Sequence, residues 1–141
     1  MLVPSRRLAP DGRSPEAGDI VLGWLTRVAV VLAIAGVALF DAISVGSTKA
    51  SVADDGAYAA REASSTWDQT KDIQATYETA VRVAEEENAD NKVPTKGFTV
   101  DQDGTVHLVV SRTAPTLVLY RWGKTATWAD VSAHAEGRSV G

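Results

Sequence analysis

Cysteine is absent from this chain of 141 residues, which also holds only two histidines and one methionine. Without cysteine there is no disulfide, no thiolate metal site and no cysteine nucleophile. His107 and His134 lie on separate predicted strands, and a metal pair between them would lack a third ligand at motif spacing. Neither a glycine-rich phosphate loop nor a Gly-x-Ser-x-Gly nucleophile motif occurs. We therefore expect no enzymatic activity, no metal and no other cofactor.

Positive charge is also scarce. The chain has 14 Lys and Arg against 18 Asp and Glu, a formal net charge of −4. A surface that binds nucleic acid needs clustered basic residues to neutralise phosphates. The composition therefore argues against nucleic acid as a partner.

What the chain does have is one long apolar run from Ile20 to Val45. Its uninterrupted part, Val28 to Phe40, would rise only about 20 Å as a helix, but the flanks extend it to roughly 36–39 Å. A bilayer has a hydrocarbon core of about 30 Å. Residues 20–45 are therefore predicted to form one tilted transmembrane helix.

Both ends of the run carry residues suited to a membrane surface. Trp24 fits the headgroup belt and Arg27 can snorkel toward water, so both are predicted anchors near the first end. Phe40 and Asp41 are predicted anchors near the second end. If the protein assembles, Asp41 could instead pair with a basic residue of a neighbour.

Basic residues predict the orientation, because cytoplasmic flanks are enriched in them. Four arginines precede the run or lie at its start, whereas Lys49 and Arg61 follow it. We expect a single-pass protein of the cell membrane with a cytoplasmic N-terminus and an extracytoplasmic C-terminal domain. The alternative is a secretory signal removed near residues 42–47, which would release the domain, although no convincing cleavage site stands there.

The remaining sequence divides into a tail and a domain. Residues 1–19, with three Pro and two Gly, are predicted to be a disordered cytoplasmic tail. Residues 46–137 are predicted to form one helix-plus-sheet domain, and residues 138–141 a loose end. A domain of this size has a thin core, so partners or the membrane often support it.

A stripe of mostly small residues predicts that the first helix continues beyond the membrane. Spacings of three and four place these residues on one face, suited to close approach by another helix or a sheet. Abundant alanine alone would also produce such a pattern. The stripe consists of Ala53, Gly56, Ala57, Ala60, Ser64 and Trp67.

A second amphipathic helix is predicted from about Asp68 to Asn88, with Ile73, Tyr77 and Ala80 on its apolar face. The acidic run of residues 85–87 is typical of a solvated helix end. Its spacing does not match a calcium-binding loop.

Period-two patterns then predict antiparallel strands. Residues 98–100 and 106–110 alternate around Asp103-Gly104, which predicts a β-hairpin. Pro115 is predicted to open a short helical or irregular segment, and residues 126–136 a last strand. The predicted fold class is α+β: a transmembrane helix that continues into an amphipathic helix, followed by a small antiparallel, pilin-like sheet.

Aromatic residues concentrate near the C-terminus. Tyr120, Trp122 and Trp128 are a candidate contact patch in a chain with only nine aromatics. They either pack on the alanine-rich helix or lie exposed as a protein or membrane contact.

The order of these elements resembles the TadE/TadG-like family of small single-pass proteins of tight-adherence (Flp) pilus systems. Three segments carry the resemblance, residues 37–41, 53–63 and 131–135, within a matching stretch of residues 28–136. The resemblance implies a pseudopilin or accessory subunit of a bacterial pilus or secretion assembly. Its implied partners are the lipid bilayer and other membrane or pilus-assembly proteins, or a second copy of the chain.

Two functional hypotheses follow. In the first, the protein is an assembly subunit that associates through its membrane helix and the small-residue stripe. In the second, it is a membrane-tethered module whose hairpin or C-terminal aromatics bind an extracellular ligand.

Overall fold

A computed structural model describes residues 16–117, 121 and 126–140. The chain divides into two compact units, Met1–Gly36 and Val37–Gly141. Helix α1, Glu16–Thr70, contributes to both. Residues 16–19, predicted as tail, form the first turn of α1, and residues 1–15 of that tail lie outside the described part. In the first unit, the described residues belong to α1 alone.

The length of α1 follows from where proline occurs. Pro15 directly precedes the helix, and the next proline is Pro94. An interior proline would remove a backbone hydrogen bond and clash with the preceding turn, so its absence permits 55 helical residues. The predicted continuation of the membrane helix through the small-residue stripe is confirmed.

Lys71 separates the two helices. It adopts a left-handed backbone with φ of 49°, and its N–H still bonds the Trp67 carbonyl at 2.8 Å. Asp72 then caps helix α2, Ile73–Glu87, by accepting hydrogen bonds from the backbone N–H groups of Gln74 and Ala75. The predicted start of α2 near Asp68 was therefore several residues too early. The position of the break between α1 and α2 depends on the backbone geometry of Lys71, which periodicity does not reveal.

The sheet has three antiparallel strands in the order β1-β2-β3: Thr99–Val100, Val106–Thr113 and Asp130–Gly137. Val100 pairs with Val106 across the hairpin, and Gly104 has φ of 86° in its turn. The predicted hairpin and the α+β class are confirmed.

The last strand begins later than predicted. Residues 126–129 form a single 3-10 turn, and β3 starts at Asp130, the partner of Thr113 in β2. The Ala114 N–H donates to the Ala129 carbonyl at 2.7 Å, which closes the loop between the strands. The predicted alternation of apolar and polar residues therefore corresponds to a strand only from Asp130 onward.

The core lies between the sheet and the two helices. β2 contributes the buried side chains Val106, Leu108 and Val110. α1 and α2 contribute mostly alanine, which allows backbones to approach closely but gives each residue little apolar area to bury. The helical members of this cluster are Val52, Ala59, Ala60, Ala63, Ala80, Val83 and Ala84.

The C-terminal end is held more firmly than predicted. The Ser139 N–H donates to Ser64 Oγ at 2.9 Å, and the Ser139 hydroxyl donates to Asp68. Residues 138–140 have no regular secondary structure, yet they are attached to α1.

Candidate functional site

The apolar segment of α1 exposes its largest side chains. Ile20 is 73% exposed, Leu32 66% and Ile34 65%. Within the described part of the chain, α1 is the one helix long and apolar enough to cross a membrane, with a mean hydropathy of 2.5 over its most apolar 18 residues. Only 11% of that window is buried. The core helix of a soluble protein would be covered instead, so this segment is compatible with a single-pass membrane protein.

Three of the four predicted anchors are exposed on the surface of α1. Trp24 is 64% exposed and Phe40 50%, and Arg27 is exposed as well. The fourth, Asp41, is only 3% exposed. Its environment therefore differs from that expected of a carboxylate among lipid headgroups.

Asp41 holds a loop of the domain. The Leu117 N–H donates to Asp41 Oδ1 at 2.7 Å. One turn further, the Ser44 hydroxyl donates to the Pro115 carbonyl, and Thr48 is buried on the same face. A buried backbone group without a partner is costly. The carboxylate and the hydroxyl satisfy two backbone groups of residues 115–117, which lie beyond the end of β2.

The small-residue stripe packs against the sheet of the same chain. Gly56, Ala60 and Ser64 are buried, whereas the side chains of Ala53, Ala57 and Trp67 are half-buried. A Cβ built on Gly56 would lie 3.0 Å from Ala135 Cβ and 3.2 Å from Val110 Cγ2. Glycine therefore allows the closest approach here, since a larger residue would displace these two side chains by a few tenths of an ångström.

The closest approach of sheet and helix is at Gly137. A Cβ there would lie 2.4 Å from the Arg61 backbone nitrogen and 2.5 Å from the Ala60 carbonyl carbon. Ser64 adds a hydrogen bond to the Gly104 carbonyl at 2.6 Å. The chain's own sheet therefore packs on Gly56, Ala60 and Ser64 of the stripe, and association of a partner through the half-buried residues stays a prediction.

A second polar cluster connects α1, β2 and the turn after α2. Arg112 lies 3.3 Å from Asp55 Oδ2 and donates to Ser51 Oγ at 2.8 Å. Asn91 donates to the same Asp55 oxygen at 2.8 Å and to the Ala84 carbonyl at 2.9 Å. The Arg112 and Asp55 side chains are 9% and 13% exposed. Charges this buried act chiefly to fix how the elements pack.

Beside this cluster lies an open groove of about 560 Å³. Its lining mixes both signs of charge, with Lys92 and Arg112 near Asp90 and Asp130. Such a lining favours neither a negatively nor a positively charged ligand.

The two histidines share the outer face of the sheet. His107 pairs with Glu136 in the register and His134 with Val109, which places the histidines on diagonal positions. His107 Nε2 lies 2.8 Å from Asp101 Oδ2, and its Nδ1 lies 3.6 Å from Glu136 Oε2. Among the described residues, no group of three or more His, Asp or Glu side chains could hold a metal ion.

Two carboxyl groups near the hairpin have lowered pKa values. Hydrogen bonds from Ser139 and then Lys71 lower the pKa of Asp68, and hydrogen bonds from Thr105 lower that of Asp103. Both carboxyls are on the surface. They therefore help to hold the hairpin and the C-terminal end, rather than acting as acid or base in a cleft.

The candidate aromatic patch is described only in part. Trp128 is 66% exposed, so it does not pack into the core. Tyr120 and Trp122 lie outside the described residues.

The buried face of α1 at Ser44 and Thr48, and the loop residue that Asp41 holds, were not predicted from the sequence. Ser44 lies three residues after Asp41, and Thr48 lies four residues after Ser44. These spacings place all three on one helix face, just after the uninterrupted part of the apolar run. That signal was available. The role of Leu117 was not, since its contribution is a backbone N–H with no sequence signature.

Comparison with known proteins adds no assignment. Neither a protein family, nor a curated protein, nor a solved structure matches this chain.

Proposed function

We propose that this chain is an uncleaved single-pass membrane protein that acts by assembly rather than catalysis. Its N-terminus would lie in the cytoplasm, and its helix-plus-sheet domain outside the membrane. The single observation that carries the proposal is the exposure of large apolar side chains along α1 up to Phe40. Water would penalise that surface, whereas a hydrocarbon core would accept it.

The second end of the apolar segment supports an anchor over a cleaved signal. Residues 42–47, where a signal would be cut, are helical and carry Ser44 with its hydrogen bond to the loop. Asp41, just before them, holds Leu117. Cleavage there would remove the carboxylate from the domain and leave the Leu117 N–H without this acceptor.

The assembly role follows the resemblance to TadE/TadG-like proteins, and on that basis we propose an accessory or pilin-like subunit of a pilus or secretion apparatus. The surface available for association is a small-residue face of α1: Ala38, Ala42 and Gly46 are exposed at spacings of four. A Cβ on Gly46 would meet nothing within 4 Å. Small residues at this spacing let membrane helices approach closely. The proposed partners are the bilayer and other membrane proteins or a second copy, without nucleic acid.

The topology is tested by single cysteines, since the natural chain has none. Ser5→Cys and Gln69→Cys variants are made separately in full-length protein. In intact spheroplasts, a membrane-impermeant maleimide should label Gln69→Cys and not Ser5→Cys, and permeabilisation should restore labelling of Ser5→Cys. Reversed labelling would overturn the orientation. Release of the protein by alkaline carbonate would overturn membrane insertion.

Association is tested by enlarging the small face. Ala38→Leu together with Ala42→Leu keeps the segment apolar but blocks close approach, so crosslinking in native membranes should fall several-fold. The matched control, Ala29→Leu together with Ala33→Leu, makes the same change at exposed positions on the opposite face of α1 and should preserve it. Equal crosslinking in both doubles would contradict association through this face.

A further inference from the structure

The loop between β2 and β3 is anchored at its base and at residues 115 and 117, within its described part. At its base, the Thr113 hydroxyl lies 2.7 Å from Asp130 Oδ1, and Ala114 bonds Ala129. Further along, Pro115 and Leu117 are held by Ser44 and Asp41 of α1. These contacts fix the described ends of the loop.

These contacts set the level of the loop along α1. Asp41 directly follows Phe40, the last residue of the uninterrupted part of the apolar run. Leu117 is one hydrogen bond of 2.7 Å from the Asp41 carboxylate. With a rise of about 1.5 Å per helical residue, Leu117 lies within roughly one turn of the end of the apolar surface.

In the described part of the loop, two small side chains are buried and two large ones are exposed. Ala114 and Ala129 are 2% and 0% exposed, whereas Leu117 is 55% exposed and Trp128 66%. Exposure of one large apolar side chain is ordinary. Here two are on the segment that reaches the end of the apolar run, and the exposed Arg121 lies between them in the sequence.

We propose that Leu117 and Trp128 insert into the outer headgroup region of the same bilayer that α1 crosses. The occupant is lipid because Leu117 is hydrogen-bonded to Asp41, which directly follows Leu39 and Phe40, and these two side chains are 62% and 50% exposed. Tryptophan and leucine beside arginine are typical of the membrane interface. Asp41 and Ser44 are positioning residues, since they hold the loop at that level. This proposal rests on the proposed membrane span.

The test uses full-length protein in phosphatidylcholine–phosphatidylglycerol vesicles with one spin-labelled cysteine at a time. The sites are Leu117→Cys, Trp128→Cys and Ile34→Cys. Ile73→Cys on α2 is the matched control, because Ile73 and Leu117 are both 55% exposed. The readout is collision with oxygen, which concentrates in lipid, relative to a water-soluble nickel chelate.

We expect the labels at 117 and 128 to favour oxygen, at a depth shallower than the label at 34, and the label at 73 to favour the chelate. Water-like values at 117 and 128, with a lipid-like value at 34, would overturn the loop proposal alone. A water-like value at 34 would overturn the membrane span itself. Labels at 117 and 128 that are shielded from both quenchers would indicate a protein contact in place of lipid, and would also overturn the proposal.

Discussion

The two halves of α1 differ in what they do with large and small side chains. Residues 18–40 expose isoleucine, leucine and valine, and a Cβ on Gly36 would meet nothing within 4 Å. Residues 41–70 bury Gly56, Ala60 and Ser64 against a sheet. The helical backbone is the same in both halves, and the halves differ in the size and burial of their side chains. Bulky apolar residues suit lipid, whereas small residues let the helix pack within the domain.

The largest difference in stability is expected between alanine substitutions at two glycines, Gly137 at the sheet–helix contact and Gly36 in the apolar half of α1. Gly137→Ala forces a Cβ into the backbone of residues 60 and 61, so the sheet must move away from α1. Overpacking of this kind costs roughly 3 kcal/mol or more when backbone atoms are hit. Thermal unfolding of full-length protein in detergent, followed by near-ultraviolet circular dichroism, should show a large fall in Tm. Gly36→Ala, which meets open space, should leave Tm unchanged, and equal Tm losses would contradict the contrast.

A positive charge should weaken membrane binding when it is placed in the first half of α1 and not when it is placed in the second half. Ile34→Arg places an arginine in the middle of the apolar segment, which costs about 2.5–3.5 kcal/mol for membrane insertion. The carbonate-resistant fraction should drop. Ala50→Arg, at an exposed position of the second half, is the control and should remain membrane-bound. Loss of both variants from the membrane would indicate a general folding defect.

The boundary between the halves is tested at Asp41. Asp41→Ala removes the acceptor of the Leu117 N–H, and a hydrogen bond to a charged group contributes at most about 1.5–3 kcal/mol. A spin label at residue 117 should become more mobile, while insertion stays intact because the segment becomes more apolar. Asp41→Asn retains an acceptor oxygen and should restore much of the order. Unchanged mobility in Asp41→Ala would show that the carboxylate does not position the loop.

Much of this architecture was predictable because it depends on periodicity. The length of the apolar run predicted the long exposed apolar helix, spacings of three and four predicted its continuation, and alternation around Gly104 predicted the hairpin. The corner at Lys71 and the 3-10 turn at residues 126–129 were not predictable, since each depends on local backbone geometry and tertiary hydrogen bonds. Asp41 shows the same limit: its sequence position indicates a membrane surface, but only the fold shows that it holds a loop.

The smallest expected effect is on pH dependence. The pKa values of Asp68 and Asp103 are lowered because the folded state donates hydrogen bonds to their charged forms. Their stabilisation is present above the unfolded-state pKa of about 3.9 and is lost as pH falls through the lower folded-state values. Tm should therefore decline slightly from about pH 5 to pH 3. The double variant Asp68→Asn with Asp103→Asn should show a flatter decline; an equally steep one would assign the effect to other groups.

The most direct test of an uncleaved anchor is intact mass spectrometry of the chain extracted from native membranes after a carbonate wash. The account predicts a mass that includes both halves of α1, with residues 18–40 retained. A chain beginning between residues 42 and 48 and recovered in the soluble fraction would contradict it, because the domain would then be a secreted product.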